Sequence, residues 1–168
     1  KLLRSLGADV VAISCKPDGI NINDGCGSTH LEQLRKAVVR EEADLGIAYD
    51  GDADRLLAVD EEGNVVVGDK LLLIFGSYLD KEGLLKENTI VITVMSNLGL
   101  KVACKERGIQ TLETAVGDRY VIEGMKESGA VLGGEQSGHI VFGMDNTTGD
   151  GILSSVKLLQ ILKQSKRK

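Results

Sequence analysis

The chain has 168 residues, 42% of them hydrophobic and only 3% aromatic, with 25 acidic against 20 basic side chains for a formal net charge of −5. That length allows one large or two small domains, and so apolar a composition excludes a disordered chain. A negative charge with no basic stripe or aromatic platform excludes a nucleic-acid surface, and no apolar run approaches the roughly 20 residues of a membrane helix.

The N-terminus has no signal-peptide layout, which predicts a cytoplasmic protein. Cys15, Cys26 and Cys104 are odd in number and form no CxxC pair, so they are expected as reduced, buried thiols rather than as a disulfide framework or zinc site. Along the chain, residues 1–7 read as the last turns of a helix closed by Gly7. The β-branched run 9–14 predicts a strand, and the turn-rich stretch 16–27 a long loop. Thr29 and Glu32 form a capping box for a helix reaching about residue 42. Strands are predicted at 45–49 and 56–60, with a turn at 62–64.

The pattern restarts at Asp69. A helix over 70–79 precedes a strand over 89–95, and Asn97 caps a helix that Gly108 ends. A strand over 109–116, a helix over 118–127, strands over 130–133 and 140–142, and a helix over 150–163 follow, with 163–168 as a solvated basic tail. Strands alternating with helices of this length predict an α/β fold. The expectation is two consecutive α/β domains with mixed sheets flanked by helices, 1–66 and 67–168, joined near 63–68.

Two stretches carry chemistry. Asp50-Gly51-Asp52-Ala53-Asp54-Arg55 sets three carboxylates at alternate positions, and a strand puts such positions on one face. Their oxygens can converge on one hard cation, which suits magnesium. As a calcium loop the segment fails: Asp50, Asp52, Asp54 and Glu61 fit positions 1, 3, 5 and 12, but Arg55 stands where that loop needs glycine. The second stretch, Gly133-Gly134-Glu135-Gln136-Ser137-Gly138-His139, brings a carboxylate, a hydroxyl and an imidazole to one rim. Glu135 and Ser137 suit a polyol, and His139 can trade protons near neutral pH. A serine-hydrolase elbow is excluded, because Glu135 stands where G-x-S-x-G needs glycine. The loop Val116-Gly117-Asp118-Arg119-Tyr120 offers Arg119 and a helix N-terminus to an anion, with Asp118 as a competing cap. His30 is a first-turn helix residue with no assigned chemistry.

With DGDADR, VGDRYV and GGEQSGH in this order, the chain resembles the α-D-phosphohexomutase superfamily from end to end. Gly19-Ile20-Asn21-Ile22-Asn23 followed by Cys26-Gly27-Ser28-Thr29, then Met95-Ser96-Asn97-Leu98-Gly99-Leu100 and Val116 to Val121, are similar to the phosphoglucosamine mutase branch. The resemblance implies interconversion of glucosamine 6-phosphate and glucosamine 1-phosphate through a phosphoserine and a 1,6-bisphosphate. It implies Mg2+ on Asp50, Asp52 and Asp54, and sugar hydroxyls held by Glu135 and Ser137. It also implies substrate binding around Gly117, Asp118 and Arg119, with Arg55 and His139 beside the reacting groups.

Neither the phosphoserine loop of Thr-Ala-Ser-His-Asn type nor the C-terminal Ser-Gly-Thr loop that grips the distal phosphate occurs here. The resemblance therefore covers the second and third domains of the family, and predicts that the first and fourth are missing domains of the same, longer chain and that this piece alone is inactive. Some relatives carry a lysine where this chain has Val94-Met95-Ser96, so their proton-handling group has no counterpart. A phosphomannomutase or phosphoglucomutase, and a non-catalytic magnesium- or sugar-phosphate-binding module, are the competing functions.

Overall fold

The computed structural model describes residues 1–165; 166–168, in the basic tail, lie outside the described residues. Helix α1 (Leu2–Ser5) closes as predicted. Gly7 adopts φ +89°, and the N–H groups of Gly7 and Ala8 donate to the carbonyls of Arg4 and Leu3. After a long irregular stretch come α2 (Glu32–Arg40), β1 (Leu45–Tyr49), β2 (Leu56–Asp60) and β3 (Val65–Val66). These strands form an antiparallel sheet in the order β1-β2-β3, with Leu45 opposite Asp60 and Tyr49 opposite Leu56. The acidic segment 50–55 is therefore the loop of the β1–β2 hairpin. At the β2–β3 turn, Asp60 Oδ1 accepts the N–H groups of Glu62 and Asn64 at 3.1 and 2.7 Å.

The second half contains α3 (Gly68–Lys81), a short 3-10 turn (Lys86–Asn88), β4 (Thr89–Thr93), α4 (Leu98–Glu106), β5 (Gln110–Thr114), α5 (Asp118–Ser128), β6 (Leu132–Gly134), β7 (Ile140–Phe142) and α6 (Gly151–Ser165). The sheet order is β5-β4-β6-β7; β4 runs parallel to β5 and β6, and β7 antiparallel to β6. As the central strand, β4 is buried at every position, which is why it reads as an unbroken apolar and threonine run rather than an alternating one. Asn97 caps α4 as predicted, its Oδ1 accepting Leu100 N–H at 2.9 Å. Its Nδ2 and backbone N–H both donate to Asp69 Oδ2, at 2.7 and 2.8 Å, tying the start of α4 to the start of α3.

One hydrophobic cluster spans both halves. Leu56 and Ala58 of β2 join Leu71, Leu72 and Phe75 of α3, Ile90 and Ile92 of β4, and Leu158 of α6. Phe75 meets Phe142 edge-on, with ring centroids 5.0 Å apart.

Four local expectations are corrected. Residues 9–14 form no strand. A cleft of about 890 Å3, lined in part by Ala12, Ser14, Leu34 and Ile47, lies between this stretch and β1, and the stretch forms no ladder bonds. The Thr29–Glu32 capping box is also absent. Gly27 O takes His30 N–H, Thr29 Oγ1 turns to His30 Nδ1 at 3.1 Å, and Leu31 becomes the N-cap without a side-chain bond. The strand over 89–95 ends at Thr93, leaving Val94 and Met95 exposed. Of the three cysteines, only Cys104 is buried; Cys15 is exposed and Cys26 half-buried.

Candidate functional site

The hairpin register places Asp50 just after β1 and Arg55 just before β2, so the chain must turn within the four residues between them. Ala53 takes φ +60°, Ala53 N–H donates to Asp50 O, and Arg55 N–H donates to Asp50 Oδ1 at 3.1 Å. The turn gathers the carboxylates: one oxygen each from Asp50, Asp52 and Asp54 lies within 4.8 Å of the others. Burial, then the neighbouring Asp54 carboxylate, pushes the Asp50 carboxyl above its usual range. Asp54 Oδ1 is buried without a hydrogen-bond partner. Arg55 Nε stands 3.7 Å from Asp50 and 3.9 Å from Asp54, beyond hydrogen bonding, and contributes charge rather than a bond. Crowded hard oxygens, one of them buried and unpaired, fit a small divalent cation.

The glycine-rich loop reaches this turn through the backbone. Arg55 and His139 form an antiparallel bridge, and Leu56 N–H donates to Gly138 O at 3.0 Å. Gly138 sits at φ +93°, with the β2 backbone so close that only glycine fits. The same loop caps α3, because Gln136 O accepts Gly68 N–H at 3.1 Å.

Glu135 and Ser137 share a half-buried surface, with Ser137 Oγ donating to Glu135 Oε2 at 3.2 Å. Glu135 Oε1 accepts Gly117 N–H at 2.9 Å, which joins the start of α5 to this loop. Gly117 is thus brought to the site. Arg119 is not: its guanidinium lies along α5 on Glu123 Oε1 at 2.8 Å, 79% exposed, and Glu123 raises its pKa further. Asp118 is exposed and accepts Arg119 N–H.

His139 also departs from expectation. Instead of standing on a rim, it is 4% exposed, with Nδ1 at 3.0 Å from Asp54 Oδ2 and Nε2 accepting Gly149 N–H at 3.2 Å. Both ring nitrogens are engaged, so the ring supports the acidic turn. Gly149-Asp150-Gly151, which the pattern predicts only as a helix start, also meets the turn. Gly151 N–H donates to Ala53 O at 2.9 Å, and Asp150 Oδ1 caps α6 through Leu153 N–H at 2.8 Å. Two glycines flanking an aspartate were the available signal.

Fold and site together define a protein of two consecutive α/β domains whose acidic turn and glycine-rich loop are locked by backbone bonds. The family descriptions agree: phosphoglucomutase/phosphomannomutase alpha/beta/alpha domain II matches residues 1–63, and alpha/beta/alpha domain III matches 67–168. The chain belongs to the phosphoglucomutase/phosphomannomutase family. It is 60% identical to phosphoglucosamine mutase of Carboxydothermus hydrogenoformans over 162 residues, 96% of this chain but 37% of that protein. The chain thus spans little more than a third of such relatives. A phosphoglucomutase/phosphomannomutase family protein of Burkholderia thailandensis superposes with a TM-score of 0.72 at 28% identity, over 82% of this chain and 30% of that one. Aspergillus fumigatus N-acetylphosphoglucosamine mutase, solved with GlcNAc-6P and magnesium, shares the fold with a TM-score of 0.63 at 18% identity, over 86% and 38%.

Proposed function

We propose that the chain forms the cation-binding and sugar-binding domains of a phosphoglucosamine mutase that interconverts glucosamine 6-phosphate and glucosamine 1-phosphate. The observation that carries this is the Arg55–His139 bridge, which fastens an acidic turn suited to a divalent cation to a loop suited to a polyol. The 60% identity with a phosphoglucosamine mutase supports a hexosamine phosphate as the sugar. The domain boundary falls between 66 and 67, and the family's first and fourth domains are the partners that supply the phosphoserine and the distal-phosphate grip.

Asp50, Asp52 and Asp54 would hold Mg2+, as the magnesium complex of the fungal relative supports. When bound, Mg2+ would act as a Lewis acid that withdraws charge from the phosphoserine oxygen during transfer. Arg55 adds positive potential where anionic oxygens gather. Glu135 retains lone pairs after accepting from Gly117 and Ser137, and can take sugar hydroxyls on them. Positioning and charge neutralisation of this kind are most of what phosphoryl transfer requires.

The test is kcat/KM of the chain within the intact four-domain protein, for glucosamine 6-phosphate against glucose 6-phosphate and mannose 6-phosphate, with Mg2+ and the matching bisphosphates. Strong preference for glucosamine 6-phosphate supports the proposal. Preference for a neutral hexose overturns the substrate and leaves the family. Turnover by residues 1–168 alone would refute the requirement for a separate phosphoserine.

A further inference from the structure

We propose that Asp69 is a positioning residue for sugar binding, its buried carboxylate holding the loop after β4 at a fixed spacing from the glycine-rich loop after β6. This rests on the polyol reading of Glu135 and Ser137 above. β4 and β6 are parallel neighbours whose connections leave in opposite directions, β4 toward β5 and β6 toward β7. In open α/β sheets ligands bind in the crevice beyond the carboxyl ends of such a strand pair, and residues 94–97 and 135–138 flank that crevice here.

Gly68 and Asp69, in the first turn of α3, are bonded to both loops. On one side Gly68 N–H donates to Gln136 O at 3.1 Å. A Cβ on Gly68 would strike Glu135 O and lie 2.7 Å from Gln136 O and from Gly138 N, so helix and loop meet backbone to backbone. Gly68 is not among the glycines at positive φ, so this contact and no turn requires it. On the other side Asp69 Oδ2 accepts Asn97 N–H at 2.8 Å and Nδ2–H at 2.7 Å, at the end of the loop after β4. Asp69 Oδ1 is buried without a partner, as is the Oγ of Ser96 beside Asn97. A buried carboxylate with one oxygen unpaired is a poor source of stability, because its desolvation offsets much of what its two bonds return. Its contribution is directional. Two donors of one residue on one oxygen fix both the place and the orientation of Asn97, and with it the exposed Val94 and Met95 just before it. The first turn of α3 thus acts as a rigid spacer between the two walls of the crevice.

The test is steady-state kinetics of the intact four-domain protein with glucosamine 6-phosphate, with folding checked by circular dichroism. Asp69→Ala should raise KM by about 10- to 100-fold, as for a lost hydrogen bond to a charged group, and change kcat less, because grip on the sugar hydroxyls is lost in ground and transition states alike. Asp69→Asn should recover most of that loss, since its carbonyl oxygen can accept both Asn97 bonds while its NH2 replaces the unpartnered Oδ1. Asn97→Ser keeps a capping oxygen for α4 and drops only the side-chain bond to Asp69, and should raise KM in the same direction by less. Folded Asp69→Ala and Asn97→Ser proteins with wild-type KM overturn the proposal and leave the polyol reading intact. A fall in kcat at wild-type KM, the mark of a smaller folded fraction, overturns it too. Glu135→Ala with wild-type KM overturns the polyol reading and this proposal together. In the wild type, which needs no variant to fold, the Asn97 backbone amide should exchange slowly with solvent by nuclear magnetic resonance; fast exchange in the folded protein overturns the proposal.

Discussion

Tyr49 reaches from the end of β1 to α6, its hydroxyl donating to Ser155 Oγ at 2.7 Å, so a single phenol ties the two halves together beside the acidic turn. Ser155 in turn donates to Ile152 O and keeps that partner without Tyr49, so Tyr49→Phe should cost only about 1 kcal/mol in chemical denaturation. Burial pushes the Tyr49 phenol above its ordinary value of 10.0, the Ser155 bond offsets part of this, and the Asp150 charge adds to it. The folded state thus favours the protonated phenol. Its stabilising effect is complete below pH 10.0 and is lost as pH rises through the folded value, so Tyr49→Phe should flatten the alkaline fall in stability. An unchanged alkaline slope would assign that fall elsewhere. Asn97 concentrates more in one side chain, since it caps α4 and donates to an Asp69 carboxylate that is 2% exposed. Asn97→Ala should cost about 2 kcal/mol, the sum of a lost cap and a lost bond to a buried charge, with the loss read from urea midpoints.

Among the elements, those with a local reason to form were legible. The β1 and β2 boundaries match the apolar runs residue for residue, because turn residues punctuate both ends. The Asn97 cap and the Gly7 and Gly108 stops were equally readable, each depending on neighbours within a few positions. The 9–14 run failed because a strand exists only through a partner, and nothing in those six residues says whether the β1 edge will take them. At the β2–β3 turn, slight burial raises the Asp60 carboxyl, but the N–H groups of Asn64 and Glu62 and the Asn64 amide outweigh it, so its pKa lies below the ordinary 3.8. That stability is present above pH 3.8 and is lost as pH falls through the lower folded value. An Asp60→Ala variant should therefore lose less stability than wild type on acidification, measured by urea unfolding from pH 6 to pH 3. In the α3 layer, Phe75 is fully buried against Phe142, and Phe75→Ala should cost about 3–5 kcal/mol.

At the scale of the whole molecule, the shared cluster from β2 through α3 and β4 to α6 couples two domains that sequence patterning treats as separate. Heat should therefore unfold the 168-residue chain in one calorimetric transition, with van't Hoff and calorimetric enthalpies equal; two resolved transitions would mean that the inter-domain cluster contributes little. The candidate site divides in the same way. The three carboxylates were legible because their alternation is local, and the Glu135–Ser137 pair because a single residue separates its members. The burial of His139 beneath Asp54, the turning of Arg119 onto Glu123 and the approach of Gly149 to the imidazole join positions that are unrelated in sequence or free to choose among partners. The sequence by itself determined the element types, the α/β class and the oxygen donors, since hydrophobic period, turn chemistry and ligand hardness act over a few residues. Only the tertiary structure decided which strand edges pair and which side chains face the cation site, because those outcomes depend on contacts across 85 residues between Asp54 and His139.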